Sequence, residues 1–252
     1  MFKLFRRKKE EIETEDIIRL GPYVPPPPKE GMVQTAKVPE PMRPLFYKAE
    51  NTVAEFFEKM AWDPTKGYIT IAGERYILMR ASSLRVHFQE NLTKILDIPE
   101  GQAEATTSRL LYNLAKVMGG ADARRFHYTM NLIDPIAKLS AGPIHFAFSG
   151  WAFVDISDIS KPSPDENYFL QYDHPQSFEA DSWIVLKGKT AKRPVCVMNA
   201  GYSAGWCEES FGIELEGREL MCRAKGDRHC RFIMTHPSKI DEKIKEFWER
   251  EE

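Results

Sequence analysis

Residues 196–234, CVMNAGYSAGWCEESFGIELEGRELMCRAKGDRHCRFIM, hold all four cysteines of the 252-residue chain. Cys222 and Cys230 flank a Gly-Asp turn, which lets the chain fold back so that both thiols face one point. Cys196 opens the preceding predicted helix, and Glu219 lies shortly before Cys222. Three thiolates and one carboxylate would form a closed tetrahedral zinc site. The spacing is not that of a CxxC…CxxC zinc ribbon, so thiols that only pack remain the alternative.

The helix predicted over residues 195–212 carries two further features. Cys207 follows Cys196 by three helical turns and points away from the cluster, so we interpret it as a small buried apolar side chain. Gly201 and Gly205 lie four residues apart on this helix. They predict a small-residue face for close packing against another element.

The rest of the chain changes from a helical to an alternating pattern. Periodic apolar residues predict helices over residues 45–60, 82–97, 103–118 (ending at Gly119-Gly120) and 121–133. Alternating or β-rich runs predict a hairpin over 68–80 and strands over 143–156, 166–173, 181–188, 218–224 and 230–235. A charged amphipathic helix follows over 237–252. The expected fold class is α+β, with a helical layer packed on a mainly antiparallel sheet.

Composition excludes several classes of protein. The chain is 42% hydrophobic and 29% charged with a formal net charge of −2, which is typical of a globular protein and lacks the basic footprint of a nucleic-acid binder. No apolar run approaches the ~20 residues needed to span a bilayer, and the N-terminus lacks a secretory signal. We therefore expect a cytoplasmic protein, whose cysteines are thiols or metal ligands.

The first 42 residues differ from the rest. Five basic residues fall within positions 1–9, an acidic stretch follows, and positions 25–28 are all proline. Consecutive prolines enforce extended geometry, so residues 1–42 are predicted to be an arm or linker before a domain over 43–236. The basic run is interpreted as a solvated tail. Contact of residues 1–9 with an anionic membrane surface or an acidic partner is the alternative.

The cysteine motif resembles that of the 4-vinyl-reductase, or hydrocarbon-binding, domain family, in the version found in N-terminal aromatic-sensor domains of XylR-type transcription activators. That signature is a Cys, then G-Y-x-x-G, then E-x-x-C, with another Cys eight residues later. The chain matches it at Cys196, Gly201, Tyr202, Gly205, Glu219, Cys222 and Cys230. The resemblance covers residues 45–236 and implies a zinc-stapled hydrocarbon-binding-domain fold. It makes the three matching cysteines and Glu219 the ligands of a structural zinc ion.

The resemblance also implies a buried pocket for one small aromatic molecule. In the phenol sensors, a His on the central strand and a Trp before a short pre-helical segment hold the ligand's polar group. These positions correspond to His145 and His174, and a second imidazole suits a more polar or anionic aromatic. Candidate lining side chains, each with core packing as the alternative, are Phe146, Phe148, Trp151, Tyr172, Phe178, Trp183, Tyr202 and Trp206. His87 and His127 are expected to face solvent or partners.

The functional hypothesis follows from what the sequence holds and lacks. It contains no GxxxxGK[ST] phosphate loop, basic recognition helix or GxGxxG motif. We expect a stand-alone zinc-containing module that senses or holds a small aromatic or hydrocarbon ligand. It would act through a partner protein docked on the arm or the C-terminal helix, and the resemblance implies a homodimer. One alternative is an enzyme, or an accessory subunit of an aromatic-degradation or tetrapyrrole-pathway enzyme. The other is an oligomeric scaffold.

Overall fold

The computed structural model describes residues 35–96 and 99–251. Its helices are α1 (Arg43–Glu58), α2 (Phe88–Leu96), α3 (Glu100–Thr129), α4 (Pro135–Phe148), α5 (Phe178–Lys187), α6 (Val197–Phe211) and α7 (Ile240–Glu251). Its strands are β1 (Ala36–Lys37), β2 (Met60–Asp63), β3 (Tyr68–Ile71), β4 (Glu74–Tyr76), β5 (Val154–Ile156), β6 (Phe169–His174), β7 (Glu216–Met221) and β8 (Cys230–Thr235). Among the described residues, every helix is too short or too polar to cross a membrane.

The larger sheet has the strand order β1-β5-β6-β8-β7, and all its pairings are antiparallel except that of β1 with β5. Side chains alternate across β8: Phe232 belongs to the main core, whereas Ile233 packs with Ile240 and Phe247 of α7 on the other face. Strands β2, β3 and β4 form a separate antiparallel meander. The α+β prediction, with helices packed on a mainly antiparallel sheet, is confirmed.

Helices α3 and α6 pack closely because glycines stand where they meet. A Cβ atom on Gly205 would overlap the backbone carbonyl of Lys116, and one on Gly119 would overlap the carbonyl of Tyr202. Only glycine lets the two backbones come this near. The small-residue face predicted for α6 is therefore real, and its partner is α3.

The predicted helix end at Gly119-Gly120 is wrong. Helix α3 runs without interruption from Glu100 to Thr129 and joins two predicted helices into one. Neither glycine has a positive φ, the conformation that ends a helix. Their missing side chains serve the contact with α6 instead.

The predicted strand over 143–156 is wrong in its first half, because those residues belong to α4. The Asp134 carboxylate accepts a hydrogen bond from the Ala137 N–H at 2.8 Å, and Pro135 occupies the first turn. The helix is apolar around most of its surface, so the alternation within it carried no information about its period. Only Val154–Ile156 forms a strand, and His145 lies on a helix.

The predicted strand over 181–188 is also wrong, because these residues belong mostly to α5. The Asp181 carboxylate accepts from the backbone N–H of Ser177 at 3.2 Å, at the start of the helix. Gly188 ends the helix with a φ of +70°. These local end signals override the β-propensity of the Trp-Ile-Val run.

The predicted arm lies outside the described residues up to position 34. After that point, Ala36–Lys37 pairs as β1 with β5, and Ala36 and Val38 are buried. The backbone N–H and the hydroxyl of Thr35 both donate to Glu50 Oε1 at 2.7 Å. The end of this segment is thus attached to the domain.

Candidate functional site

Four side chains from three places in the fold meet in one buried cluster. Cys196 directly precedes α6, Glu219 lies on β7, Cys222 follows β7, and Cys230 begins β8. All three thiols are fully buried, and one ligand atom from each of the four residues lies within 4.8 Å of the others. The group is close enough to bind a metal ion.

The distances within the cluster fit a tetrahedral metal site. Cys196 Sγ lies 3.6 Å from Cys230 Sγ, far beyond the disulfide bond length of about 2.0 Å. Zinc–sulfur bonds of about 2.3 Å give a tetrahedral edge of about 3.8 Å. The thiols therefore already stand near the separation that shared zinc ligands require.

The Glu219 carboxylate supplies the second test of fit. Its Oε2 accepts from the Cys196 backbone N–H at 2.6 Å. Its Oε1 is buried and has no hydrogen-bond partner among the described residues. A buried acceptor without a donor costs about 1–3 kcal/mol, and a cation would satisfy it. Thiolates with one carboxylate form a donor set that suits zinc.

Burial and neighbouring thiols separate the acidities within the cluster. Burial raises the pKa of the Cys196 thiol and of the Glu219 carboxyl well above their usual values. Hydrogen bonds from Cys196 and Cys230 lower the pKa of Cys222 to about 2. The Asp227 carboxylate accepts from the Cys222 backbone N–H at 2.7 Å and so holds the turn between the two strands.

A small apolar cavity lies beside the cluster, between α4, α6 and the sheet. Four of the predicted lining residues border it: Phe146, Tyr172, Tyr202 and Trp206. Cys207 borders it too, and is buried away from the thiol cluster as predicted. The volume is about 30 Å³, enough for about two waters, whereas a benzene-sized guest needs about 150 Å³. An aromatic ligand therefore has to displace side chains as it enters.

His174 is a buried imidazole next to this cavity. It ends β6 opposite Cys230, and both of its ring nitrogens lack a hydrogen-bond partner among the described residues. Its ring centroid lies 5.6 Å from that of Phe146 and 5.3 Å from that of Tyr172, both of which line the cavity. Burial lowers the pKa of His174 to about 3, so the ring is neutral at pH 7.

His145 lies in an aromatic cluster on the inner side of α4. Its ring centroid is 5.0 Å from that of Trp206 and 5.2 Å from that of Phe57. Its Nδ1 is 3.4 Å from the Tyr202 hydroxyl oxygen. Burial lowers the pKa of His145 to about 3. The residue contacts two cavity-lining side chains without bordering the cavity itself.

The other predicted lining residues form a second layer. Trp151 packs on Tyr202 at a centroid distance of 4.6 Å, and Phe178 meets Trp151 edge-on at 5.2 Å. Phe148 packs on Phe57 at 5.2 Å. Trp183 lies elsewhere, with the Lys187 ammonium 4.8 Å from the centre of its ring.

The expectation that His127 faces solvent is wrong, although His87 is exposed as predicted. His127 is buried on the inner side of α3, with its ring edge-on to Trp206 at 5.4 Å. Burial lowers its pKa to about 4. The helix that carries it was predicted to have one outer face there, but α4 and α6 cover that face.

A buried ion pair next to the thiol cluster was not predicted. Arg85 Nε lies 3.1 Å from Glu179 Oε1, and both side chains are almost fully buried. Glu179 also accepts from the backbone N–H groups of Met198 and Asn199, at 3.1 and 2.8 Å, in the first turn of α6. Burial raises the pKa of Glu179 to about 7, although Arg85 opposes this. The pair anchors the helix start that carries Cys196.

Comparisons with known proteins agree with this architecture. The crystal structure of the phenol-responsive sensory domain of the transcription activator PoxR with phenol superposes with a TM-score of 0.64 at 21% identity, covering 78% of this chain and 94% of that chain. A crystal structure of a trafficking protein particle complex subunit 3 from Naegleria fowleri, covalently bound to palmitic acid, gives a TM-score of 0.43 at 13% identity, covering 62% and 93%. No curated protein matches the chain. The model of the 4-vinyl-reductase domain family matches residues 178–236, so the resemblance predicted from the cysteine motif is confirmed, and this stretch of the chain belongs to a 4-vinyl-reductase domain.

Proposed function

We propose that this protein is a sensory module that binds one small aromatic molecule in the cavity beside α4 and α6 and holds a structural zinc ion next to it. The observation that carries the proposal is His174, a fully buried imidazole whose two nitrogens have no partner among the described residues. Such a group is costly unless a ligand or water pairs with it. The PoxR domain, which shares the fold, responds to phenol.

The character of the cavity favours a ring with one polar substituent. Its walls are apolar and aromatic, which favours burial of a flat hydrophobic guest. Polar anchors are few: His174 near one side and His145 beside Tyr202. Neutral imidazole both donates and accepts, so a hydroxyl on the ring matches either residue.

A zinc ion held by Cys196, Glu219, Cys222 and Cys230 would have four protein ligands and no open position, which is typical of a structural site. It would tie the β7–β8 hairpin to the first residue of α6. Since α6 lines the cavity and His174 pairs opposite Cys230, the same ion would fix both walls of the pocket.

We further propose that the module works as a homodimer and passes its signal to a partner protein. Exposed apolar side chains recur at helical spacing along α3, at Leu110, Leu114 and Val117, and suit burial against a second copy. Helix α7 exposes Trp248, which suits contact with a partner. Size determination in solution tests the dimer directly, because a monomeric protein would contradict it.

Calorimetric titration with phenol and toluene tests the pocket. The protein is expected to bind both, with phenol favoured. His174→Leu should weaken phenol binding about fivefold, the value of one neutral hydrogen bond, and change toluene binding less. The matched control His87→Leu alters an exposed residue and should leave both affinities unchanged. Failure of every small aromatic to bind, or equal phenol affinity in His174→Leu and wild type, would contradict the proposal.

A further inference from the structure

A line of three polar side chains enters the aromatic core from the α3 side. Asp122 lies on α3, Tyr202 on α6 and His145 on α4. The Tyr202 hydroxyl oxygen is 2.7 Å from Asp122 Oδ2 and 3.4 Å from His145 Nδ1. Tyr202 and His145 are fully buried, and Asp122 is half-buried. The contacts therefore join a carboxylate, a phenol and an imidazole in sequence.

The distances decide where the protons lie. A hydroxyl carries one proton, and a hydrogen bond to a carboxylate is stronger than one to a neutral acceptor. The Tyr202 hydroxyl therefore donates to Asp122 across the shorter contact. Its oxygen then faces His145 Nδ1 with a lone pair, which favours a proton on that nitrogen.

No neighbouring donor of the described residues reverses this order. The Trp206 ring lies beside the imidazole, but its Nε1–H donates to the Lys138 backbone carbonyl at 3.0 Å. The remaining rings against His145 include those of Phe56, Phe57 and Phe126, which have no polar hydrogen to offer. A neutral imidazole has one N–H, so a proton on Nδ1 leaves Nε2 as an acceptor.

We propose that Asp122, acting through Tyr202, holds His145 as its Nδ1–H tautomer, so that the imidazole meets a bound ligand only as a hydrogen-bond acceptor through Nε2. Asp122 and Tyr202 are positioning residues here. The module then selects aromatic ligands that carry an O–H or N–H donor over ligands of similar size that carry none. The ligand part of this inference rests on the proposed aromatic-binding function, whereas the tautomer does not.

The tautomer is measured without any ligand. Two-bond 15N–1H correlation spectra of the 15N-histidine-labelled protein at pH 7 distinguish a pyrrole-type from a pyridine-type nitrogen, and His145→Gln identifies the signals by their loss. Wild type should show Nδ1 as pyrrole-type and Nε2 as pyridine-type. The reverse pattern in wild type overturns the proposal, whether or not the protein binds an aromatic.

Two variants then test the role of Asp122. In Asp122→Leu, the Tyr202 hydroxyl is free to donate to His145 Nδ1, so the signals should move toward the Nε2–H form. Glu209→Gln removes another carboxylate from α6 that pairs with Arg124 and should leave the signals unchanged. An unchanged tautomer in folded Asp122→Leu would remove Asp122 from the proposal.

The ligand arm uses phenol and anisole, which differ in the hydroxyl donor. Asp122→Leu should bind phenol about five- to tenfold more weakly than wild type while anisole affinity changes little, which reduces the preference between them. Equal weakening of both ligands would indicate a general loss of packing and contradict the selective role. If neither ligand binds wild type, the proposed function fails, and the spectra still decide the tautomer.

Discussion

Acid should destabilise this protein through its buried imidazoles, and His174 offers the clearest case. Its pKa is about 6.5 in an unfolded chain and about 3 in the fold, because burial excludes the charged form. The unfolded state therefore binds a proton that the folded state refuses. The stabilisation is complete above pH 6.5 and is lost as the pH falls toward 3. At pH 5 the 1.5-unit interval below 6.5 corresponds to a loss of about 2 kcal/mol.

Urea unfolding at pH 7.5 and pH 5.0 measures this loss against a matched pair of variants. His174→Leu lacks the proton site, so its stability should fall by about 2 kcal/mol less than that of wild type between the two pH values. Glu179, whose folded pKa is raised, titrates with the opposite sign, but it is present in both proteins and cancels. The control His87→Leu changes an exposed residue and should keep the wild-type dependence. An equal fall in His174→Leu and wild type would refute the reasoning.

Two further perturbations address the elements around the site. Glu179→Ala leaves Arg85 buried without its partner and should cost about 3–5 kcal/mol in urea unfolding, whereas the double variant Arg85→Met with Glu179→Leu should recover much of it; a double variant as unstable as the single one would argue against the pair. Gly205→Ala forces α3 and α6 apart and should lower the thermal midpoint, while Gly101→Ala, with open space around its Cβ position in α3, should raise it slightly. Equal midpoints for these two glycine variants would contradict the close helix crossing.

The sequence predicted the thiol cluster because its information is local. Cys222 and Cys230 are brought together by one turn between two strands, and both strands have a clear β pattern. Helix α6 was predicted with nearly its observed bounds, since its glycines and its C-terminal Gly212 are recognisable in the sequence. The α+β class followed from the same patterns.

The errors arise where tertiary contacts decide. Helix α4 is buried on most sides, so alternating apolar residues could not reveal its period. Gly119 and Gly120 read as a helix end until α6 is seen to occupy the space that their side chains would take. Arg85 and Glu179 lie 94 positions apart in the numbering, and nothing in either local sequence predicts their pairing. Asp122 was missed for the same reason, because its partner lies on another helix.

Metal content is the most direct test of the central claim that Cys196, Glu219, Cys222 and Cys230 hold a structural zinc ion. Native mass spectrometry with elemental analysis of the purified chain should find one zinc per chain. Cys230→Ala should lose the ion and unfold at a markedly lower temperature, because metal binding contributes folding free energy, whereas Cys207→Ala should retain it. A wild-type protein without stoichiometric zinc, or a Cys230→Ala variant that keeps both the ion and the wild-type midpoint, would contradict the account.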